Sequence, residues 1–268
     1  MSGTKSHCLL APAINPAEST LVLGWYGSRN KGDHARIEAH VRTLVEMFGF
    51  ASGCSVPLMI GANAEPASIP VLDDVRHVVV LPVFMCEGMT FNRQFPEFLR
   101  QLASRQSSDR PGGQVAGAGL RSLPIIGRHE SLVRLVSSRA SVRAGTGNTD
   151  RRLVLVAHGS EQNTGSMKAT RKLRDHLRST EAFSEVHDAY LETTPDPADI
   201  VSSIGSECII EGLFLTEGRH STDDMVARIG SGHSSHTPLY LGAVGVDPRF
   251  IDVLSGAVSD AVSPAKAA

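Results

Sequence analysis

Three residues in the second half of the chain, His158, Glu192 and His220, each stand just beyond an apolar run. The run LVLVA leads into His158-Gly159-Ser160, DAYL leads into Glu192, and ECIIEGLFL leads through Thr216 to Arg219 into His220. Two imidazoles and a carboxylate suit a divalent first-row metal such as Fe²⁺, Co²⁺, Ni²⁺ or Zn²⁺. Either imidazole can equally accept a proton near neutral pH. Such a set works only if the fold brings three positions tens of residues apart to one rim.

The elements that would do so are legible in the patterning. Leu153–Ala157, Val186–Leu191, Glu207–Leu215 and Leu239–Val244 read as buried strands. Helical patterns over Gly165–Arg178, Asp196–Ile204, Ser221–Ile229 and Arg249–Ser259 alternate with them. Alternation of this kind predicts a parallel sheet with right-handed crossovers. The carboxyl ends of consecutive parallel strands lie on one side, where ligands of open α/β sheets bind.

The first half reads the same way. Strands are expected at Leu21–Trp25, Ser55–Ile60, Arg76–Met85 and Leu123–Ile126. Helices are expected around Ile37–Phe48, Pro66–Leu72, Phe91–Ser104 and Ser131–Ser138, with a Gly-rich loop at Ser107–Gly119. Ala144–Asp150 (AGTGNTD) is a small polar linker, dividing the chain into lobes at 20–143 and 151–262. The expected fold is α/β, two duplicated lobes, each a four-stranded parallel sheet flanked by helices.

The lobes also match in sequence. LVLGWYGS aligns with LVLVAHGS, VVVLPVFMCEGMT with CIIEGLFLTEGRH, and LPIIGRHESLVRLV with YLGAVGVDPRFIDVL, at spacings of 132, 130 and about 118 residues. This is an internal duplication. It serves as a control, because Tyr26, Ile60 and Thr90 stand where the second lobe has His158, Glu192 and His220. The first lobe folds without the histidines, so their role in the second is functional.

Composition narrows the class. The 268 residues are 41% hydrophobic and 20% charged, with a formal net charge of −2. That supports a folded core and disfavours nucleic acid as a partner. No run approaches the roughly 20 apolar residues of a membrane span, so no membrane association is expected. The N-terminal twenty residues read as a loose tail without a signal-peptide core. Cys8, Cys54, Cys86 and Cys208 are dispersed, which argues against an iron–sulfur or structural zinc site and fits a reducing cytoplasm.

Taken together, VAHGS (156–160), AYLE (189–192) and GLFLTEGRH (212–220) resemble the ATP-independent, class II chelatases, in particular CbiX-type sirohydrochlorin cobaltochelatases and ferrochelatases. The motifs lie within residues 152–260, and residues 21–138 follow in outline, as in the two-lobed form of that family. The resemblance implies a lyase of cobalamin or siroheme biosynthesis that inserts Co²⁺ or Fe²⁺ into sirohydrochlorin or a related tetrapyrrole. His158 and His220 would bind the metal and take up pyrrole protons, with Glu192 assisting. The metal is then substrate, and no permanently bound cofactor is expected. The absence of a Walker-type loop agrees with independence from ATP. The segment after Ser160 departs from the family, with Glu161-Gln162-Asn163-Thr164 in place of an Arg-Asp-Pro-rich stretch.

Peripheral carboxylates of such a substrate need donors, and Gly159, Ser160, Ser221 and Thr222 near helix starts are the candidates. Ser221 and Asp224 also resemble a capping box. His233 and His236 read as solvent-exposed loop residues, and Asp223 and Asp224 as a helix start rather than metal ligands. Tyr26 reads as packing at the core or rim. Lys168, Arg171 and Lys172 form a solvated helix face. A carrier that binds metal or tetrapyrrole without turnover is the alternative. A hydrolase using His158 as base lacks a partnered G-x-S-x-G nucleophile. The chain would be a pseudo-dimer, with further homo-oligomerisation open.

Overall fold

A computed structural model describes residues 14–58, 77–108, 119–144, 151–205, 207–218, 221–230 and 238–262. Two four-stranded parallel sheets carry the architecture. In the first lobe β1 (Ser19–Trp25), β2 (Ser52–Pro57), β3 (His77–Val83) and β4 (Gly119–Ser122) lie in the order β2-β1-β3-β4. In the second, β5 (Arg152–Ala157), β6 (Glu185–Tyr190), β7 (Cys208–Gly212) and β8 (Leu239–Ala243) lie in the order β6-β5-β7-β8. All pairings are parallel. The central strands β1 and β5 carry unbroken apolar runs because helices cover both faces of each sheet.

The helices are α1 (Lys31–Phe48), α2 (Met89–Ser108), α3 (Glu130–Ala144), α4 (Gly165–Ser179), α5 (Pro197–Ile204), α6 (Asp223–Ile229) and α7 (Phe250–Val262). Their burial sorts them into layers. The outer face of the first sheet packs Val22, Val78 and Val80 against Phe95, Phe98 and Leu102 of α2. The outer face of the second packs Val154, Val156 and Ile210 against Val201 of α5 and Met225 and Ile229 of α6. The inner faces share one core that crosses the chain, joining Leu21, Leu44 and Val136 of the first lobe to Leu155, Leu177 and Leu254 of the second. Each Å² of apolar surface removed from water there contributes roughly 25 cal/mol, so this shared core holds the two lobes together.

The duplication is visible in the backbone. The short 3₁₀ turns Ile126–Arg128 and Val244–Val246 fall at matched positions. Gly127 donates to the Phe84 carbonyl at 3.0 Å and Gly245 to the matched Phe214 carbonyl at 2.9 Å. A Cβ at Gly127 would lie 1.9 Å from the Met85 oxygen, and one at Gly245 2.2 Å from the Leu215 oxygen, so both turns demand glycine. The lobes meet about a pseudo-two-fold axis. Arg249 Nη1 donates to Ser138 Oγ at 3.1 Å, while the matched Gly256 packs against Ser131. Reciprocal contacts of this kind characterise an isologous interface.

Several boundaries differ from the sequence reading. The fourth strand is Gly119–Ser122, not Leu123–Ile126. Leu123 still donates to Val80, but Pro124 has no N–H and the ladder ends there. Leu123, Ile125 and Ile126 are buried nonetheless, so their apolar pattern marks the core rather than the ladder. The second strand is an edge strand that begins at Ser52, and its polar start resembled a turn. Trp25 pairs with Pro57 and Ala157 with Tyr190. Ile60, matched to Glu192 by sequence, lies outside the described residues. The expected helix at Pro66–Leu72 lies outside the described residues, as do most of the Gly-rich loop and the linker. No helix among the described residues is long and apolar enough to cross a membrane.

Candidate active site

His158 is the first residue past β5, and β6 brings Glu192 beside it. Within the segment that follows β6, Glu192 N–H donates to the His158 carbonyl at 2.9 Å, extending the β5–β6 pairing beyond both strands. The side chains then meet, with His158 Nδ1 3.3 Å from Glu192 Oε2. Both remain about half exposed, at 46% and 51%, so the pair is open to a ligand. The segment carrying Glu192 is fastened from behind. Arg228 of α6 donates to the Leu191 carbonyl at 2.7 Å and pairs with the Asp196 carboxylate, which also caps α5 through the Ala198 N–H.

Gly159 makes the turn possible. Its φ is +75°, and a Cβ there would sit 2.7 Å from Tyr190 Cβ and 2.8 Å from Thr193 Cγ2. Gly27, at the matched position in the first lobe, also has positive φ, +102°. Ser160 Oγ accepts the Gln162 and Asn163 N–H groups, and Asn163 Oδ1 accepts the Gly165 N–H at the start of α4. Ser160 therefore keeps its hydroxyl proton for a further partner.

A cleft of about 1050 Å³ opens over this rim. One wall carries His158, Gly159, Ser160 and Glu192 of the second lobe; the other carries Tyr26, Phe91 and the α2 face of the first. Below it, a more apolar cavity of about 310 Å³ lies between the sheets, lined by Val83, Leu132, Leu173 and Leu213, and it also reaches Tyr26 and His158. Cys86 of the first lobe is hydrogen-bonded to Ser166 of the second beside both spaces, and burial pushes its thiol up. Tyr26 is 50% exposed, a rim residue rather than a core one.

His220 lies outside the described residues, as do His233 and His236. Its neighbours Gly218 and Ser221 both line the deeper cavity with His158. The hydroxyls expected to face a substrate here are engaged locally. Ser221 is buried, accepts the Gly218 N–H at 2.9 Å and donates to the turn carbonyls of Thr216 or Gly218. Thr222 Oγ1 donates to the Gly218 carbonyl at 3.0 Å. The expected capping box is not formed, because α6 begins only at Asp223 and the Ser221 hydroxyl closes the preceding turn. Among the described residues no three His, Cys, Asp or Glu side chains converge as a metal set.

Two features escaped the sequence reading. The first is the polar face of α2, where Arg93, Gln94, Arg100 and Gln101 line the cleft. Its signal was present: the dipeptide Arg-Gln recurs after seven residues, two helical turns, and so on one face. The second is a buried charge cluster between the lobes. Arg139 of α3 donates to Glu211 Oε2 of β7 at 3.0 Å, to Asp247 Oδ2 at 2.9 Å and to the Leu241 carbonyl at 2.7 Å. Burial pushes the Glu211 carboxyl up to about 8 against the pull of Arg139. Burial also disfavours the Asp247 anion, but the Arg249 hydrogen bonds and the Arg139 charge outweigh it and hold Asp247 at about 2.

The CbiX family model matches the chain twice, over residues 20–142 and 152–261. The chain belongs to the CbiX family. A curated relative, "Probable sirohydrochlorin cobaltochelatase" of Halobacterium salinarum, is 26% identical over 213 residues, covering 70% of this chain and 73% of that protein. Among solved structures, CbiX, described as the terminal enzyme for biosynthesis of siroheme in denitrifying bacteria, superposes with a TM-score of 0.64 at 22% identity, covering 92% of this chain and all of that one. SirB from Bacillus subtilis with Fe³⁺ gives a TM-score of 0.73 at 17% identity, over 92% of this chain and 96% of that one. These structures share the two-lobed fold. In this CbiX-family chain, the paired His158 and Glu192 occupy the cleft between the lobes, on the second lobe's wall.

Proposed function

We propose that this chain is a chelatase that inserts a divalent metal, Co²⁺ or Fe²⁺, into sirohydrochlorin or a closely related tetrapyrrole without ATP. The observation that carries the reading is the His158–Glu192 pair at the rim of a cleft wide enough for a macrocycle. Family membership and the relative named a probable sirohydrochlorin cobaltochelatase support it.

The two lobes, 20–143 and 151–262, divide the work. Insertion replaces two pyrrole N–H protons with one M²⁺, so the site must deliver a partly dehydrated ion and accept two protons. His158 presents a neutral imidazole that holds the ion and takes a proton as it releases it. Glu192, 3.3 Å from Nδ1, stabilises the resulting imidazolium and relays the second proton toward solvent. His220 completes the ligand set, a role supported by the flanking Gly218 and Ser221, which line the same cavity as His158. Gly159 and Ser160 donate to the substrate from the β5 turn, whereas Ser221 and Thr222 hold the turn that carries His220.

The test mixes purified protein, sirohydrochlorin and Co²⁺ or Fe²⁺ and follows the absorbance change against the spontaneous rate. The expected result is acceleration by the wild type and a loss of about 100-fold or more in His158→Ala, as for removal of a general base. Stoichiometric binding without acceleration would make the chain a carrier and overturn the enzyme reading.

A further inference from the structure

We infer that the first lobe, which lacks the metal-binding side chains, carries the carboxylate-recognition face of the site, with Arg93 and Arg100 of α2 holding peripheral carboxylates of the macrocycle. The inference rests on the chelatase reading above and adds which residues choose the substrate. Arg93, Gln94, Arg100 and Gln101 all line the cleft opposite His158 and Glu192. Their placement follows from the helix. Phe95, Phe98 and Leu102 are buried in the outer core of the first sheet, so the Arg-Gln pairs, seven residues apart, must share the cleft side.

The polar groups on this face are incompletely engaged. Arg100 pairs with Glu97, which also accepts from Gln101 Nε2 at 2.8 Å. Arg93 has no hydrogen-bond or ion-pair partner among the described residues. Gln94 Oε1 is buried without a partner, so an amide stands ready in the wall, and a rotation about its last bond presents the NH₂ instead. Guanidinium groups are matched to carboxylates by their planar fork, and an open, half-solvated wall lets them bind without stranding a buried charge. Phe91, stacked on Phe95 at 5.1 Å, adds an apolar surface beside them for the ring.

The duplication sharpens the assignment. The stretch matched to Arg93-Gln94 in the second lobe is Asp223-Asp224, at the start of α6. Within the cleft, Arg93 and Arg100 outnumber Glu97 on the α2 wall, and Glu192 is the charged group on the facing wall. A molecule with a metal-binding centre and a carboxylate rim meets the sign it needs on each side. The helix that carries these groups is itself longer in the first lobe, Met89–Ser108 against Asp223–Ile229.

The experiment compares wild type, Arg93→Gln/Arg100→Gln, Arg93→Lys/Arg100→Lys, and Arg42→Gln on the far helix α1 as a net-charge control. Steady-state Co²⁺ insertion gives KM for sirohydrochlorin, KM for Co²⁺ and kcat. Quenching of sirohydrochlorin fluorescence gives its Kd without metal. The expected result for the Gln pair is a rise in KM and Kd for sirohydrochlorin of roughly tenfold per guanidinium, with KM for Co²⁺ unchanged and kcat altered far less. The Lys pair should recover part of the loss, and added salt should shrink the difference. Equal Kd and KM in the Gln pair and the wild type would overturn the inference while leaving the chelatase reading intact. Arginine-dependent binding without accelerated insertion would overturn the chelatase reading and keep the inference. Failure of the wild type to bind sirohydrochlorin would overturn both.

Discussion

The first lobe ends its central strand in Trp25-Tyr26-Gly27-Ser28, the second in Ala157-His158-Gly159-Ser160. The backbones agree. Leu58 N–H closes on the Trp25 carbonyl at 2.8 Å, and Leu191 N–H on the Ala157 carbonyl at 3.1 Å. Both glycines have positive φ. What differs at the rim is the side chain, Tyr26 against His158. Both lobes thus keep the glycine and strands that make the turn, while the side chain presented there differs. Gly27 and Gly159 report the fold; His158 is the residue to which the proposed function assigns the chemistry.

The interface shows the same asymmetry in its core. Arg139 and Glu211, 7% and 0% exposed, are joined by a buried hydrogen bond in one half of the pseudo-symmetric contact. Their matched positions are Ala257 and Leu81, both buried and apolar. Arg139→Met should therefore leave the buried Glu211 carboxyl without its partner and destabilise the chain by about 1–3 kcal/mol, measured by chemical denaturation. Arg139→Leu combined with Glu211→Leu makes this half apolar as well and should recover most of that loss. Equal stability of the single Arg139 variant and the wild type would mean that the two halves are energetically alike.

A smaller effect is expected from pH. Glu211 is raised in the folded chain from its ordinary 4.5 to about 8, so the folded state binds its proton more tightly than the unfolded state. Its contribution is fully present below about 4.5 and is lost as pH rises through about 8. The wild-type Tm should thus fall between pH 5 and pH 9 more steeply than that of Glu211→Gln. Asp247, held at about 2, acts with the opposite sign and only below about 4, outside that window. Parallel Tm profiles for the two proteins would contradict the assignment.

How much of this could be read from sequence depends on whether the signal was local. His158 and Glu192 were legible because each ends an apolar strand, and parallel strands bring such ends together. The duplication was legible because its anchors keep their spacing. The fourth strand was misplaced because Leu123, Ile125 and Ile126 are buried by the core without belonging to the ladder, which Pro124 stops. Arg139 and Glu211 are 72 residues apart, on elements whose pairing only the lobe-to-lobe packing fixes. The cleft face of α2 was hidden for a related reason. Its helical period gave two faces, and only the sheet order and the opposing lobe decide which one looks at His158.

The central claim is that the second strand end alone carries the chemistry. It is tested most directly by writing the first lobe's residue into the second, His158→Tyr, beside Tyr26→Ala, and measuring initial rates of Co²⁺ insertion into sirohydrochlorin over the spontaneous reaction. The account predicts that His158→Tyr falls to within a few-fold of the spontaneous rate, roughly 100-fold or more below wild type. Tyr26→Ala should keep most of the acceleration, with its loss confined to KM. Retained activity in His158→Tyr, or an equal loss of kcat in both variants, would contradict it.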